Sequence, residues 1–301
     1  MSPISDAEQW SSTLFPPITR RSSVTGALLC SPEYFDVIDV RNAHMEGQIG
    51  SIDHDQARSQ WIDLADAIES LGLTIHLLET YEHLVDAVFT ANPSLVTTDV
   101  EGKTQAILGR MSHPNRREES QLHRSAIEPL GIPCQEIRPS VQGTWEGNGD
   151  TLRDPGRNLI WCGIGSRSKL DCHIEVGRML GLEVAILELP DPNFYHLDTA
   201  LALLDETTAA YVPAAFNRTG LSLLEAAFET LIEVDEQEAR KSLAGNLWCP
   251  DGSHVLMPAA APITRRRIET HDFEVREIET GEFLKSGGSV FCMRQEIREQ
   301  I

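Results

Sequence analysis

The sequence predicts an α/β fold, and three observations carry that reading. An amphipathic helix that ends in a Leu-Gly pair and runs into a short aliphatic strand occurs three times. Short apolar strands fill the stretches between these units. No Pro/Gly/Ser-rich linker, low-complexity tract or step in composition interrupts the alternation, so one domain is expected over residues 1–301, with about 1–28 as a peripheral N-terminal segment.

The first unit spans a helix over 55–71, where Trp61, Leu64, Ala65, Ile68 and Leu71 fall on one helical face. Gly72 fits the position where a left-handed residue ends a helix without Cβ strain, and a strand follows over 73–78. The second unit has a helix over 115–130, Gly131, and a strand over 132–137. In the third, a helix capped by Ser168 ends at Leu180-Gly181 and leads into 182–189. A more degenerate copy runs through the helical stretch 221–240, and another through 263–278. Strands are predicted over 105–108, 158–162, 209–212 and 247–249, with a hairpin turn at Asp251-Gly252.

Composition excludes several functions. The chain has 46 Asp+Glu against 25 Lys+Arg, a net charge of -21. Phosphate neutralisation needs clustered cations, so nucleic acid is excluded as a general partner, and an anionic membrane surface repels the same charge. The longest apolar runs, such as 256–261, fall far short of the roughly 18 residues that span a bilayer. Residues 1–10 lack a basic segment followed by an apolar one, so no secretory signal is expected. Six cysteines without a Cys-x-x-Cys pair or framework spacing point to the reducing cytoplasm.

Each unit delivers an ionisable group at an equivalent place. Gly72 is followed 14 residues later by Asp86; Gly131 and Gly181 are each followed 15 residues later, by Glu146 and His196. Units arranged about a common axis would bring these groups together. His196 and Asp198 precede an alternating apolar run and, in an extended strand, share one face as an imidazole–carboxylate pair. The segment Ser286-Gly287-Gly288-Ser289-Val290-Phe291-Cys292 places a thiol after two glycines that permit close backbone approach. Such a thiol becomes a nucleophile when a neighbouring cation lowers its pKa. Cys30, Cys134, Cys162 and Cys249 read as small buried hydrophobes, and Cys172-His173 as a helix face without zinc-ligand spacing. Carboxylates grouped around a thiol suit a planar cation such as a guanidinium, and no Gly-rich phosphate loop is present.

In combination, Asp86 to Asn92, Glu146-Gly-Asn-Gly-Asp150, His196-Leu-Asp198 and Gly287-Gly288 to Cys292 resemble the guanidine-modifying amidinotransferase superfamily. That group includes dimethylarginine dimethylaminohydrolases, arginine deiminases, arginine dihydrolases and amidinotransferases. The resemblance runs from about Cys30 to Cys292. It implies a five-unit pseudo-symmetric α/β propeller, the pentein fold. It further implies Cys292 as nucleophile, His196 as general acid and base, and Glu146 as the partner of the histidine. Asp198 is implied as a guanidinium ligand, Asp86 as reader of the α-amine, Arg167 and Arg110 as carboxylate readers, and Asn42 as a pocket residue.

One position departs from the commonest pattern: Asn92 stands where many members carry a second guanidinium-binding Asp, and the Phe-Thr-Ala-Asn form resembles the arginine dihydrolase branch. The implied activity is cysteine-dependent hydrolysis of a guanidino C–N bond of arginine or an Nω-methylated arginine. The product is citrulline or, after a second round, ornithine. No metal or organic cofactor is implied, and monomer and homo-oligomer both stay open. An amidinotransferase passing the group to an amine, and a non-catalytic guanidino binder, are the competing readings.

Overall fold

The computed structural model describes residues 2–15 and 23–299; the part of the expected peripheral segment over 16–22 lies outside them. In chain order the elements are α1 (Ala7–Ser12), β1 (Val24–Cys30), α2 (His54–Ser70), β2 (Thr74–Leu78), β3 (Ser94–Thr98), β4 (Thr104–Leu108), α3 (Glu119–Ile127) and β5 (Cys134–Glu136). They continue with α4 (Gly147–Asp150), β6 (Thr151–Arg153), β7 (Leu159–Ile164), α5 (Leu170–Leu180), β8 (Glu183–Glu188), β9 (Leu201–Leu203), β10 (Thr208–Tyr211) and α6 (Arg218–Ala227). Then follow β11 (Thr230–Glu233), α7 (Glu236–Ser242), β12 (His254–Pro258), α8 (Pro262–Glu269), β13 (Glu274–Ile278), α9 (Gly281–Leu284) and β14 (Gln295–Arg298).

The strands form five small sheets: β14-β1-β2, β3-β4-β5, β6-β7-β8, β9-β10-β11 and β12-β13. In each three-stranded sheet the central strand pairs antiparallel with the leading strand and parallel with the last. The parallel pairs are joined by a helical crossover: α2, α3, α5, α6 and α8. In the fifth unit the leading strand shrinks to a single antiparallel bridge, Trp248 to Leu256. The expected strand over 247–249 is therefore this one bridge, because Asp251 turns the chain by accepting from the Ser253 and His254 amides.

The leading segments of all five units line one central cavity of about 730 Å³, through residues such as Val96, Leu152, Leu203, Trp248 and Glu296. The fold is thus the five-unit propeller that the resemblance implies. The loops that enter these segments carry the groups discussed below.

The glycine joints hold. Helix α2 buries Leu64, Ala65 and Ile68, each large aliphatic contributing roughly 1.5–3 kcal/mol, while Trp61 and Leu71 pack half-buried against the same core. Gly72, Gly131 and Gly181 adopt φ of 77°, 80° and 67°. Of the two degenerate copies, the first is not helical throughout and the second keeps the helix–joint–strand order. The stretch 221–240 is α6 and α7 separated by β11, whose Thr230 and Ile232 are β-branched and which pairs parallel with β10. The stretch 263–278 is α8 followed by β13, and the left-handed joint residue is Asp272 at φ 65°, a conformation that a short polar side chain tolerates.

Three further expectations are corrected. Ser168 does not cap α5, whose N-cap is Lys169 without a side-chain bond; the Ser168 hydroxyl is drawn instead to Asp150 Oδ2 at 2.5 Å. His196 and Asp198 do not lie on a strand, because 197–199 forms a single 3-10 turn before β9. The segment 1–28 is not peripheral throughout. Val24–Cys30 is the middle strand of a sheet, and Ile4 extends the edge of β8 through its amide and carbonyl. Trp10 is buried, stacked on Trp161 with centroids 5.4 Å apart, and α1 rests on α6. Trp10→Ala should therefore destabilise the protein by about 3 kcal/mol, read as a lower urea midpoint; a loss under about 0.5 kcal/mol would show that the segment is not part of the core.

Candidate active site

The loops that lead into β3, β6, β9, Trp248 and β14 meet at one point. The first brings Asp86 and Asn92, the second Glu146, the third His196 and Asp198, and the last Cys292. Cys292, His196, Asn92, Asp86, Arg167 and Asn42 line one pocket. Glu146 and Asp198 are fully buried behind His196 and Cys292.

Glu146 is fixed before it meets the imidazole. Its amide donates to Ser168 Oγ at 2.9 Å, and its Oε1 accepts from the Ser112 amide at 3.1 Å and from the Ser112 hydroxyl. Oε2 is left for His196 Nε2 at 2.7 Å, with Arg167 Nη1 at 3.4 Å. Burial would push this carboxyl up, but the His196 bond and charge outweigh it and hold the group far below the usual range. His196 moves the other way: burial acts to lower its pKa, yet Asp150 and Glu146 raise it overall, which favours the imidazolium beside the carboxylate.

The His196 partner is therefore Glu146 rather than Asp198. Asp198 Oδ2 lies 3.2 Å from Cys292 Sγ, accepting the thiol proton. Asp198 Oδ1 is buried without a hydrogen-bond partner. Burial lifts this carboxyl to about 6, against the opposing charge of His196. Burial, and then the Asp198 charge, push the Cys292 thiol well above its ordinary value.

Asn92 is oriented by Arg116, whose Nη1 donates to Asn92 Oδ1 at 3.1 Å. The Asn92 amide nitrogen then faces His196 Nδ1 at 3.4 Å. Gly147 and Gly149 make room for it: a Cβ on Gly147 would stand 2.5 Å from the Asn92 carbonyl oxygen, and one on Gly149 would meet the Asn92 amide. Gly288 serves Phe89 likewise, since a Cβ there would collide with the ring. Asn42 donates to the Ser286 carbonyl at 3.0 Å, and Arg167 lies over the Tyr195 ring at 5.0 Å.

Arg110 is not in the pocket. Its guanidinium donates to the carbonyls of Val141 at 2.5 Å and Ile137 at 2.9 Å, tying down the loop that delivers Glu146. The nearby arginine that does line the pocket is Arg116, fully buried against Glu119 at 2.7 Å and donating to the Phe89 carbonyl at 3.0 Å. Sequence reasoning also missed Asn246. Its Nδ2 lies 3.1 Å from Cys292 Sγ and 3.1 Å from the Asp198 carbonyl, and its Oδ1 accepts the Cys292 amide at 3.2 Å. The signal was there in the repeat spacing, since Asn246 follows His196 by 50 residues as His196 follows Glu146. Among the described residues no group of three His, Cys, Asp or Glu is placed to hold a metal ion, and no helix is long and apolar enough to cross a membrane.

The family model for N,N dimethylarginine dimethylhydrolase (eukaryotic) matches residues 32–299. The chain belongs to this family. It is 35% identical over 282 residues to the N(G),N(G)-dimethylarginine dimethylaminohydrolase of Mycobacterium tuberculosis, covering 93% of this chain and 87% of the relative. It is 32% identical to the bifunctional arginine dihydrolase/ornithine cyclodeaminase AgrE of a Nostoc species, over 91% of this chain. This chain spans only 38% of that longer protein. The N-terminal domain of ArgZ, a cyanobacterial arginine dihydrolase, solved bound to substrate, superposes with a TM-score of 0.83 at 30% identity, covering 90% of this chain and 97% of that one. The same domain has been solved covalently bonded to a reaction intermediate. Like its relatives, this family member is a cysteine-dependent hydrolase acting on guanidino C–N bonds.

Because the Asp198 charge raises the thiol of this dimethylargininase-family protein, Asp198→Asn should lower it. The rate of Cys292 alkylation by iodoacetamide, followed against pH, should then rise at lower pH than in the wild type. An unmoved or upward-shifted profile would show that the carboxylate does not govern the thiol.

Proposed function

We propose that Cys292 is the nucleophile of an arginine hydrolase of the dihydrolase type, which converts arginine to citrulline and citrulline to ornithine. The observation that carries this reading is the neutral Asn92 amide, locked by Arg116 beside His196. It leaves Asp198 as the carboxylate nearest the thiol.

In this scheme the substrate guanidinium takes the unpartnered Asp198 Oδ1 as the acceptor for its N–H groups. Its charge neutralises the carboxylate that holds the thiol proton and lowers the thiol pKa, so the proton passes to solvent water and the thiolate forms when the substrate arrives. Sulfur attacks the guanidino carbon, His196 passes a proton to the departing nitrogen, and ammonia leaves a covalent thiouronium. His196, now neutral and held by Glu146, takes a proton from water; water adds to the carbon, sulfur leaves, and citrulline remains.

In the second round the thiolate released by the first attacks the ureido carbon before it is reprotonated. His196, which has taken a proton from water, gives it to the departing ammonia, and hydrolysis of the S-carbamoyl group yields a carbamic acid that breaks down to carbon dioxide and ornithine. A ureido group is neutral, and an amide at position 92 can both donate to it and accept from it, where a second carboxylate could only accept. The two amide contacts of Asn246 keep the sulfur aimed and offer the thiolate a donor.

Mass spectrometry of products from arginine and Nω,Nω-dimethylarginine tests the reading. Ornithine and ammonia in a 1:2 ratio from arginine are expected; citrulline that accumulates without ornithine, or dimethylamine release as the faster reaction, would overturn the dihydrolase assignment. Cys292→Ala should abolish turnover with the fold intact. Asn246→Ala should lower kcat roughly 10- to 1000-fold, the scale of losing one positioned donor, with little change in KM; equal kcat values would remove Asn246 from the mechanism.

A further inference from the structure

Asp150 is buried behind the active site and does not line the pocket that holds Cys292. Both of its oxygens are bonded to other chain segments. Oδ2 accepts the Ser168 hydroxyl at 2.5 Å, and Ser168 Oγ in turn accepts the Glu146 amide at 2.9 Å. Oδ1 accepts the Leu197 amide at 3.1 Å, at the start of the 3-10 turn that places His196 and Asp198. Glu146 caps the single turn of α4 and Asp150 ends it. One short helix thus sends its first acid to the imidazole and its second to the backbone beside it. Gly163 of β7 leaves the room: a Cβ there would stand 3.4 Å from Asp150 Oδ1 and 2.8 Å from Leu197 Cβ.

A buried carboxylate is unfavourable unless it is bonded and faced by a cation. Burial lifts the Asp150 carboxyl to about 6, and the His196 charge and the Ser168 bond work against that rise. Cys162 of β7 faces the same carboxylate as a thiol pushed up by burial and further by the Asp150 charge. Around the imidazole stand Glu146 and Asp150 from the two ends of α4, and Asp198 on its own turn. Arg167, from the loop before α5, opposes them, and the Cys292 thiol shares the pocket.

We propose that Asp150 is a positioning residue of this hydrolase: through the Ser168 hydroxyl and the Leu197 amide it sets the Glu146 loop against the His196 turn and stands as the second anion behind the imidazole. It touches neither the substrate nor the reacting atoms. This rests on the acid–base role proposed for His196 and names the group that sustains it. With Asp150 neutral, Arg167 is less well offset, and His196 gives up its proton at lower pH, before the departing ammonia needs it.

The test follows arginine turnover against pH for the wild type, Asp150→Asn and Ser168→Ala. His196 must carry a proton when ammonia departs, so kcat falls as pH rises through its pKa. Asp150→Asn removes a charge that raises that pKa, so this alkaline limb should move to lower pH. Its kcat should drop roughly 10- to 100-fold, within the share of a positioned acid, with KM nearly unchanged. Ser168→Ala frees Asp150 to take up a proton more readily, and should move the limb the same way by less. Wild-type kcat in both variants, or a lower kcat with the limb at its wild-type pH, would overturn the proposal.

NMR titration of the His196 ring in Cys292→Ala, with and without each substitution, reads the same effect without turnover. A His196 titration at lower pH in the variants is expected. If it does not move, the proposal falls and the acid–base reading of His196 is untouched. If it moves while the pH profile of turnover does not, the imidazole is not the acid of the reaction, and both readings fall.

Discussion

The arrangement turns on one buried ion pair, Glu146 with His196. Both partners are buried, and a charge in that position is tolerated only beside its opposite and with its remaining bonds filled. Glu146 Oε1 is therefore given to Ser112 and its amide to Ser168. Asp150, the second carboxylate that raises His196, is itself held by Ser168 and by the Leu197 amide. Four chain segments are recruited to keep two charges together, and the positions of the remaining groups follow from that arrangement.

The pair also decides how the thiol behaves. With His196 committed to Glu146, the proton of Cys292 faces Asp198, an anion, so the resting sulfur is protonated. In the proposed scheme a thiol of this kind is switched on by its cationic substrate rather than by a resident base. That would protect the sulfur from adventitious electrophiles until a guanidinium arrives, and Asp198 would serve first as proton acceptor and then as ligand.

Much of this was readable in the sequence, because the parts that repeat are dictated by local physics. A Leu-Gly joint ends a helix wherever it occurs, and three joints at near-equal spacing were enough to locate Asp86, Glu146 and His196. The joint without glycine was harder to place for an equally local reason, since Asp272 takes the left-handed conformation without announcing it. What pairwise reading could not supply was long-range partnership. His196 and Asp198 are two residues apart, yet a 3-10 turn sends one to Glu146 and the other to Cys292. Arg110 and Arg116 share one short segment, and only the backbone bridge of Arg110 to Trp145 decides which enters the pocket. Asn246 announces no chemistry as an isolated residue; its meaning lies in what it touches.

The ring closes when β14 pairs antiparallel with β1, bringing Gln295 opposite Leu28. Cys292 lies three residues before that strand, so its thiol reaches the axis through a pairing between the two ends of the described chain. Such contacts form slowly, since a long loop must lose its freedom before they repay it. Four of the five loops can gather without any sulfur among them. In folding terms, the thiol joins His196, Glu146 and Asp198 only when the ring closes, and a ring that is still open lacks its sulfur at the axis.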